Sequence, residues 1–405
     1  MKHVTVQVFP DKKIGIWQGM GGAITEATAY NFKKLSPEKQ RDFLYAYYGK
    51  DGLNYDWGRI AIGSNDFCLT PYECTVKKNM QDFSITADEQ YILPLLKRIL
   101  EHKDLTLVAS PWSPPSFMKT NKDLFGGKLK RNYYGAFARY IKKWLEAYKA
   151  NGIEVSYITP QNEPMAAQKW ESCTYSLAKQ RILIYKYLIP ELESFDTKIL
   201  VWDHNKTNLQ KVAEKLLKTK TENEKVAGVA FHWYDGIHED EMKRVKRGFP
   251  NKIMVATEMC CGFSPYNPNI WEKDAELYMK EIFADVNAGV SAWIDWNMLL
   301  DWRGGPSHKQ NYVKSPIIMN KNNNDFILTP IYKYLKKVAH FIPKGTEIIR
   351  CKLSDKRILA IAKKNKSGIS TLLYNLNDVD VEVEIAVDEK IKTKVISAHH
   401  FCEIS

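Results

Sequence analysis

Eight short apolar runs recur along the first four-fifths of the chain, and each hands over to a segment of helical periodicity. The runs end at Ala23, Ile62, Ala109, Thr159, Trp202, Phe231, Thr257 and Trp296. They are apolar on both faces, as strands of a parallel sheet covered by helices must be. Ser36-Pro37-Glu38 opens the first helix, with Ser as cap, Pro in the first position and Glu in the first turn. Further helices are predicted over 89–102, 133–150, 177–192, 209–217, 239–247, 274–288 and 331–340. Eight strand–helix units predict an α/β fold of the (β/α)8 TIM barrel kind. A doubly wound open sheet is the rival. It is weakened because no GxGxxG follows a strand, and Gly19-Met20-Gly21-Gly22 lacks that spacing.

From about Gly345 the texture changes. The runs 358–362, 370–374, 379–385 and 392–397 are β-rich, and turn residues such as Lys366-Ser367-Gly368 and Asn377-Asp378 separate them. They predict a small antiparallel domain, with the alternating run Val4–Val8 paired into it. The expected division is therefore a barrel over 14–342 and a side domain from 1–13 plus 343–405.

Composition narrows the class. Hydrophobic residues make up 44% and charged residues 26%, the balance of a water-soluble globular chain. No apolar run reaches the roughly 20 residues of a membrane span, so no integral membrane association is expected. The first residues alternate like a strand and show no signal-peptide core. Seven cysteines is an odd number, and adjacent Cys260 and Cys261 suit no disulfide with each other, so reduced thiols in a cytoplasm are expected. No CxxC or HxxxH spacing exists, so no metal site is expected. The net charge of +12 is carried by scattered lysines rather than a basic block. It reads as a solvated surface and not as a nucleic-acid footprint.

In such a barrel the chemistry sits at the C-terminal ends of the strands. Two strand ends carry a glutamate: Asn162-Glu163-Pro164 after the fourth and Thr257-Glu258 at the seventh. The other strand-end residues are Arg59 and Asp66, Trp112, His232 and Tyr234, and Trp296. Paired carboxylates among Trp, Tyr, Asn and Arg suit a carbohydrate, because indoles stack on sugar C–H faces and amides bind hydroxyls. Retaining glycoside cleavage needs two carboxylates about 5–5.5 Å apart, one neutral and one ionised. Arg59 and Tyr234 are positioned to support Glu258 as the ionised member. Asn162 is positioned to bind a 2-hydroxyl. A lone strand-end glutamate is more often a salt-bridge partner; the pairing on strands four and seven is what raises the catalytic reading. Trp112 lies in the loop Pro111–Pro115, where a large aromatic is hard to bury. His232 divides evenly between a structural histidine and a sugar ligand. Glu26 and Asp295 read as structural.

At these residues the sequence resembles glycoside hydrolase family 30, the family of lysosomal glucosylceramidase. The motifs run in order: Gln18–Ala23, Ser64–Phe67, Ser110–Ser116, Asn162-Glu163-Pro164, His232-Trp233-Tyr234, Thr257-Glu258 and Asp295-Trp296-Asn297. The segment Met165–Glu171 resembles bacterial members. The resemblance implies a barrel with a side β-sandwich built from both termini. It implies a retaining mechanism with Glu163 as acid/base and Glu258 as nucleophile. Sugar-binding roles would fall on Asp66, Trp112, Asn162, Trp296 and Asn311, and no metal or organic cofactor is implied. The partner is a carbohydrate or glycoside substrate, and an exo-acting β-glucosidase is the expectation. β-Xylosidase, β-fucosidase and endo-β-1,6-glucanase are the alternatives within the family. A non-catalytic carbohydrate-binding barrel is disfavoured, because binding alone does not require both glutamates. A transglycosylase would carry the same pair.

Overall fold

The eight apolar runs close into a ring because each strand can satisfy its backbone only by pairing on both edges. The computed structural model describes residues 2–218, 223–366 and 368–405; Ser367, in one expected turn, lies outside them. After β1 (Lys2–Ile16) come the barrel strands β2 (Met20–Ala23), β3 (Trp57–Ile62), β4 (Thr106–Pro111) and β5 (Tyr157–Ile158). They continue as β6 (Lys198–Asn205), β7 (Val226–His232), β8 (Ile253–Glu258) and β9 (Ala292–Asp295). Neighbours pair in parallel, and β9 closes on β2.

The barrel interior has a floor and a polar storey. The floor is a separate apolar cluster of Trp57, Val108, Leu200, Ala230, Val255, Ala292 and Ile294. Trp57 stacks there on Tyr157, with ring centres 5.5 Å apart and planes at 7°. Strand side chains alternate with a period of two. Two residues beyond Trp57, Val108, Tyr157, Ala230 and Val255 stand Arg59, Ser110, Thr159, His232 and Thr257, facing the same interior. β6 breaks this parity. Its register with β7 shifts between Trp202 and His204, and Trp202 and Asp203 take positive φ of 83° and 64°. This bulge re-aims the chain. Trp202 turns into the outer core, and Asp203 turns into the polar storey.

Helices pack outside the ring. The expected start at Ser36 holds: its Oγ accepts from the Lys39 N–H at 3.2 Å, and the helix runs Pro37–Tyr48. An additional helix, Glu26–Lys34, precedes it. Its signal was Thr25, whose hydroxyl accepts from the Thr28 N–H as a cap. The buried Lys206 follows β6 and is bonded to Glu281 at 2.7 Å and Asp285 at 2.9 Å. Both acids lie on the helix Pro268–Ala288, so this ion cluster ties the end of β6 to the outer layer. Among the described residues no helix is long and apolar enough to cross a membrane.

After a three-stranded sheet of β10 (Leu299–Leu300), β11 (Ile317–Met319) and β12 (Phe326–Leu328), the chain leaves the barrel. It adds β13 (Glu347–Leu353), β14 (Ile358–Asn365), β15 (Gly368–Asn375), β16 (Val381–Val387), β17 (Lys390–Ile396) and β18 (Phe401–Ile404). With β1 these make one sheet in the order β17-β16-β1-β13-β14-β15-β18. β1 runs antiparallel to β13 and parallel to β16, so both termini build it. Its alternating residues Val4, Val6, Val8, Val381, Val383 and Ile385 belong to an apolar core distinct from that of the barrel.

Close strand packing sets a sharp requirement at Gly228 of β7. A Cβ there would lie 1.9 Å from the Ile253 carbonyl oxygen, backbone that cannot move aside. Gly228→Ala is expected to cost about 3 kcal/mol. Gly248→Ala, with nothing within 4 Å of its Cβ, should change stability by about 0.5 kcal/mol or less. Denaturant unfolding of the two variants checks this.

Candidate active site

The polar storey converges on Asp203, which is fully buried. Its Oδ2 accepts from Arg59 at 2.9 Å, Ser110 at 2.8 Å and Thr159 at 2.7 Å. Its Oδ1 accepts from Thr257 at 2.6 Å and faces His232 Nε2 at 3.1 Å. These five partners come from β3, β4, the turn after β5, β7 and β8, and the bulge delivers the acceptor. Burial works to raise the Asp203 carboxyl, but the Arg59 guanidinium and His232 outweigh it and hold the group well below the ordinary range.

Arg59 reaches onward from this hub. Its Nη2 also donates to Asn162 Oδ1 at 2.8 Å, and its Nη1 donates to Glu258 Oε2 at 2.5 Å. Tyr234 donates to the other Glu258 oxygen at 3.0 Å. So the Glu258 side chain, 9% exposed, receives one charge-assisted and one neutral hydrogen bond. A register shift opposite His232 leaves Thr257 unmatched and sets Glu258 beside His232.

Glu163 sits in the turn after β5 with a positive φ of 46°, and its N–H donates to the Asp203 carbonyl at 2.9 Å. A non-glycine residue held in this region marks a site where the surroundings over-determine the backbone. Its carboxylate meets His232 Nδ1 at 3.4 Å, Gln168 Nε2 at 3.2 Å and His204 Nδ1 at 3.9 Å. Burial pushes the Glu163 carboxyl up, yet the two histidines and Gln168 prevail and hold it below its usual value. One oxygen of Glu163 and one of Glu258 lie within 4.8 Å of each other, with His232 Nδ1 in the same group. Three such atoms approach the spacing of a metal site. The donor set fits a proton better, since both His232 nitrogens face carboxylates and burial leaves the imidazole no other counter-charge.

The remaining predicted residues flank this centre. Trp112 and Trp296 stack with ring centres 5.3 Å apart and planes at 23°, and the Arg59 guanidinium lies 4.8 Å from the Trp112 ring. Trp112 is only 2% exposed, contrary to the expectation for a loop aromatic. Trp296 and the guanidinium cover it, and cation–π contact compensates the buried charge. Asp66 Oδ2 accepts from Asn311 Nδ2 at 2.8 Å. Burial pushes the Asp66 carboxyl up to about 8, and Glu258 and Glu171 add to the rise. The buried Lys119 donates to Ser113 at 2.8 Å and to the Leu124 and Ser172 carbonyls at 2.6 and 2.7 Å, clamping the loops that carry Trp112 and Gln168. Glu26 and Asp295 stand apart: Glu26 accepts from the Leu69 N–H at 3.0 Å and Asp295 from Tyr278 at 2.8 Å.

Sequence reasoning missed Asp203, His204 and Gln168. The available signal is Asp203-His204-Asn205, a polar run at the end of the fifth strand.

Arg59 is the countercharge of two carboxylates. Arg59→Met leaves buried Asp203 without it and should lower unfolding free energy by about 3–5 kcal/mol. Arg59→Lys should recover part of that and little activity, because an ammonium cannot span Asn162, Asp203 and Glu258 together. Denaturant titration beside an activity assay tests both.

A family model described as the glycosyl hydrolase family 30 TIM-barrel domain matches residues 17–342. A putative glucosylceramidase 4 of Caenorhabditis elegans is 30% identical over 93% of this chain and 78% of its own length. The crystal structure of SrfJ from Salmonella typhimurium superposes with a TM-score of 0.93 at 28% identity, over 98% of this chain and 92% of that one. An endo-β1,6-glucanase superposes with a TM-score of 0.88 at 26% identity, over 98% and 93%.

Proposed function

The chain belongs to glycosyl hydrolase family 30, and we propose that this glycoside hydrolase is a retaining, exo-acting β-glucosidase that uses Glu258 as nucleophile and Glu163 as acid/base. The observation that carries the reading is the approach of the two carboxylates to within 4.8 Å. That suits direct attack on the anomeric carbon and leaves no room for the water that inverting enzymes hold across roughly 6.5–9.5 Å.

In the first step Glu258 attacks the anomeric carbon, the bond to the leaving oxygen breaks, and Glu163 protonates that oxygen. In the second, Glu163 takes a proton from water as the water oxygen displaces Glu258. Arg59 and Tyr234 hold the attacking oxygens in line. Asn162, fixed by Arg59, is turned towards a 2-hydroxyl. Asp66 with Asn311 offers a hydroxyl clamp. Trp296, backed by the stacked Trp112, offers an apolar wall to the sugar. Relatives named for glucosylceramide support a glucose-sized first subsite. Likeness to an endo-β1,6-glucanase favours a second reading, a chain-cleaving enzyme on 1,6-linked glucan. A cytoplasmic setting is supported by seven cysteines that are all free.

A panel of 4-nitrophenyl β-glycosides of glucose, xylose, fucose and galactose, beside a β-1,6-linked glucan, separates these readings. Glucoside turnover with an inert polymer supports the first; the reverse supports the second. Glu258→Ala should abolish turnover, and azide should restore it with an α-glycosyl azide as product. Glu163→Ala should slow poor leaving groups by about 10²–10⁴-fold and activated aryl glycosides far less. Full activity of Glu163→Ala on alkyl glycosides would remove Glu163 from the acid role.

A further inference from the structure

His232 has no free face. Its ring is fully buried, with Nε2 at 3.1 Å from Asp203 Oδ1. Nδ1 stands 3.4 Å from Glu163 Oε1 and 3.9 Å from Glu258 Oε1. Every polar partner is thus a carboxylate oxygen, an acceptor with no proton to give while ionised. A neutral imidazole would aim a lone pair at one of them, so the geometry calls for N–H on both nitrogens. Other charged or titratable groups bear on it from each packed element. They are Arg59 of β3 behind both Asp203 and Glu258, His204 of β6, and Tyr234, whose ring lies edge-on at 5.9 Å.

We propose that His232 is the proton store of the reaction, a positioning residue that passes its Nδ1 proton to Glu163 as the leaving group departs and takes one back as water is split. The inference rests on Glu163 being the acid/base. It answers a difficulty in that assignment. An acid needs a proton at working pH, yet the surroundings of Glu163 hold it below the ordinary carboxyl value. With the proton kept next door, Glu163 can rest as a carboxylate and still deliver.

The step balances. As the Glu258–C1 bond forms and the C1–oxygen bond breaks, the leaving oxygen takes a proton from Glu163, and Glu163 takes the Nδ1 proton. Imidazolium and the Glu258 carboxylate have become imidazole and ester, so the net charge of the site is unchanged. Water then adds to C1 as the ester bond breaks, and its proton returns through Glu163 to His232. The timing follows from placement. Burial opposes charge on His232, while Glu258 first, then Asp203 and Glu163, overcome it and lift the group to about 9. Esterification removes the Glu258 charge, so the imidazolium is weakened at the moment its proton is needed.

The test is the pH dependence of kcat/KM for wild type and His232→Gln on two glycosides of the accepted sugar. One carries phenol, which needs an acid; the other carries 2,4-dinitrophenol, which does not. Wild type should keep phenyl glycoside activity up to a limb near pH 9. In His232→Gln that limb should fall by two pH units or more. At pH 8 the phenyl glycoside should then lose about tenfold or more and the dinitrophenyl glycoside less than threefold. Coincident limbs in the two proteins, or equal losses on both substrates, would overturn the proposal. Glu163→Ala in the same assay keeps the two readings apart, because full phenyl glycoside activity there removes the acid role itself. Neutron diffraction from wild-type crystals near pH 7.5 needs no variant. Deuterium on both ring nitrogens of His232 is the expected result, and a bare Nδ1 would contradict it.

Discussion

The buried ion pair of Arg59 with Asp203, 2.9 Å apart and closed to solvent at both ends, is the contact on which the rest of the site depends. Burying a charge is costly unless it is paired and its remaining donors are satisfied. Here the partners come from strands around the barrel, so satisfying one carboxylate fixes the positions of Arg59, Ser110, Thr159, His232 and Thr257 together. The two glutamates are then aligned at second hand. Arg59 holds Glu258, His232 stands beside both, and the Asp203 carbonyl takes the N–H of Glu163. An electrostatic frame built before substrate arrives needs no reorganisation during the reaction.

The frame stands on a barrel interior that is apolar and buried. The Trp57, Val108 and Leu200 floor excludes water from beneath the polar storey. Five of the eight strands, β3, β4, β5, β7 and β8, change from apolar to polar within one alternation, so the boundary between core and chemistry there is a single layer. The strained backbone at Trp202, Asp203, Glu163 and Asn297 gathers at this same end. Such conformations persist where neighbours over-determine them, and they re-aim side chains that regular strands would point elsewhere.

The ring of strands was legible from the chain because its signal is local: apolar runs of four to seven residues with helices between. The Asn162-Glu163-Pro164 and Thr257-Glu258 pairing was legible because it falls at equivalent strand ends. Contacts expected from it, Arg59 and Tyr234 on Glu258, are present. Asp203 was not legible. Strand alternation predicts an inward Trp202, and only the bulge reverses the two, a feature set by pairing with β7 rather than by propensity. Burial of Trp112 was misread for a related reason, since its cover comes from Arg59 and Trp296, distant in sequence. The helix Glu26–Lys34 has only a local signal in the chain, its Thr25 cap.

The most direct measurement is to trap the enzyme with a 2-deoxy-2-fluoro-β-glucosyl fluoride and locate the label by mass spectrometry of peptides. The fluorine slows both steps, and the good leaving group spares the first, so a glycosyl-enzyme accumulates in a retaining enzyme. One sugar per chain, attached at Glu258, is the predicted result. A label on another residue would contradict the account. So would turnover of the substrate without any covalent species, accompanied by an inverted product.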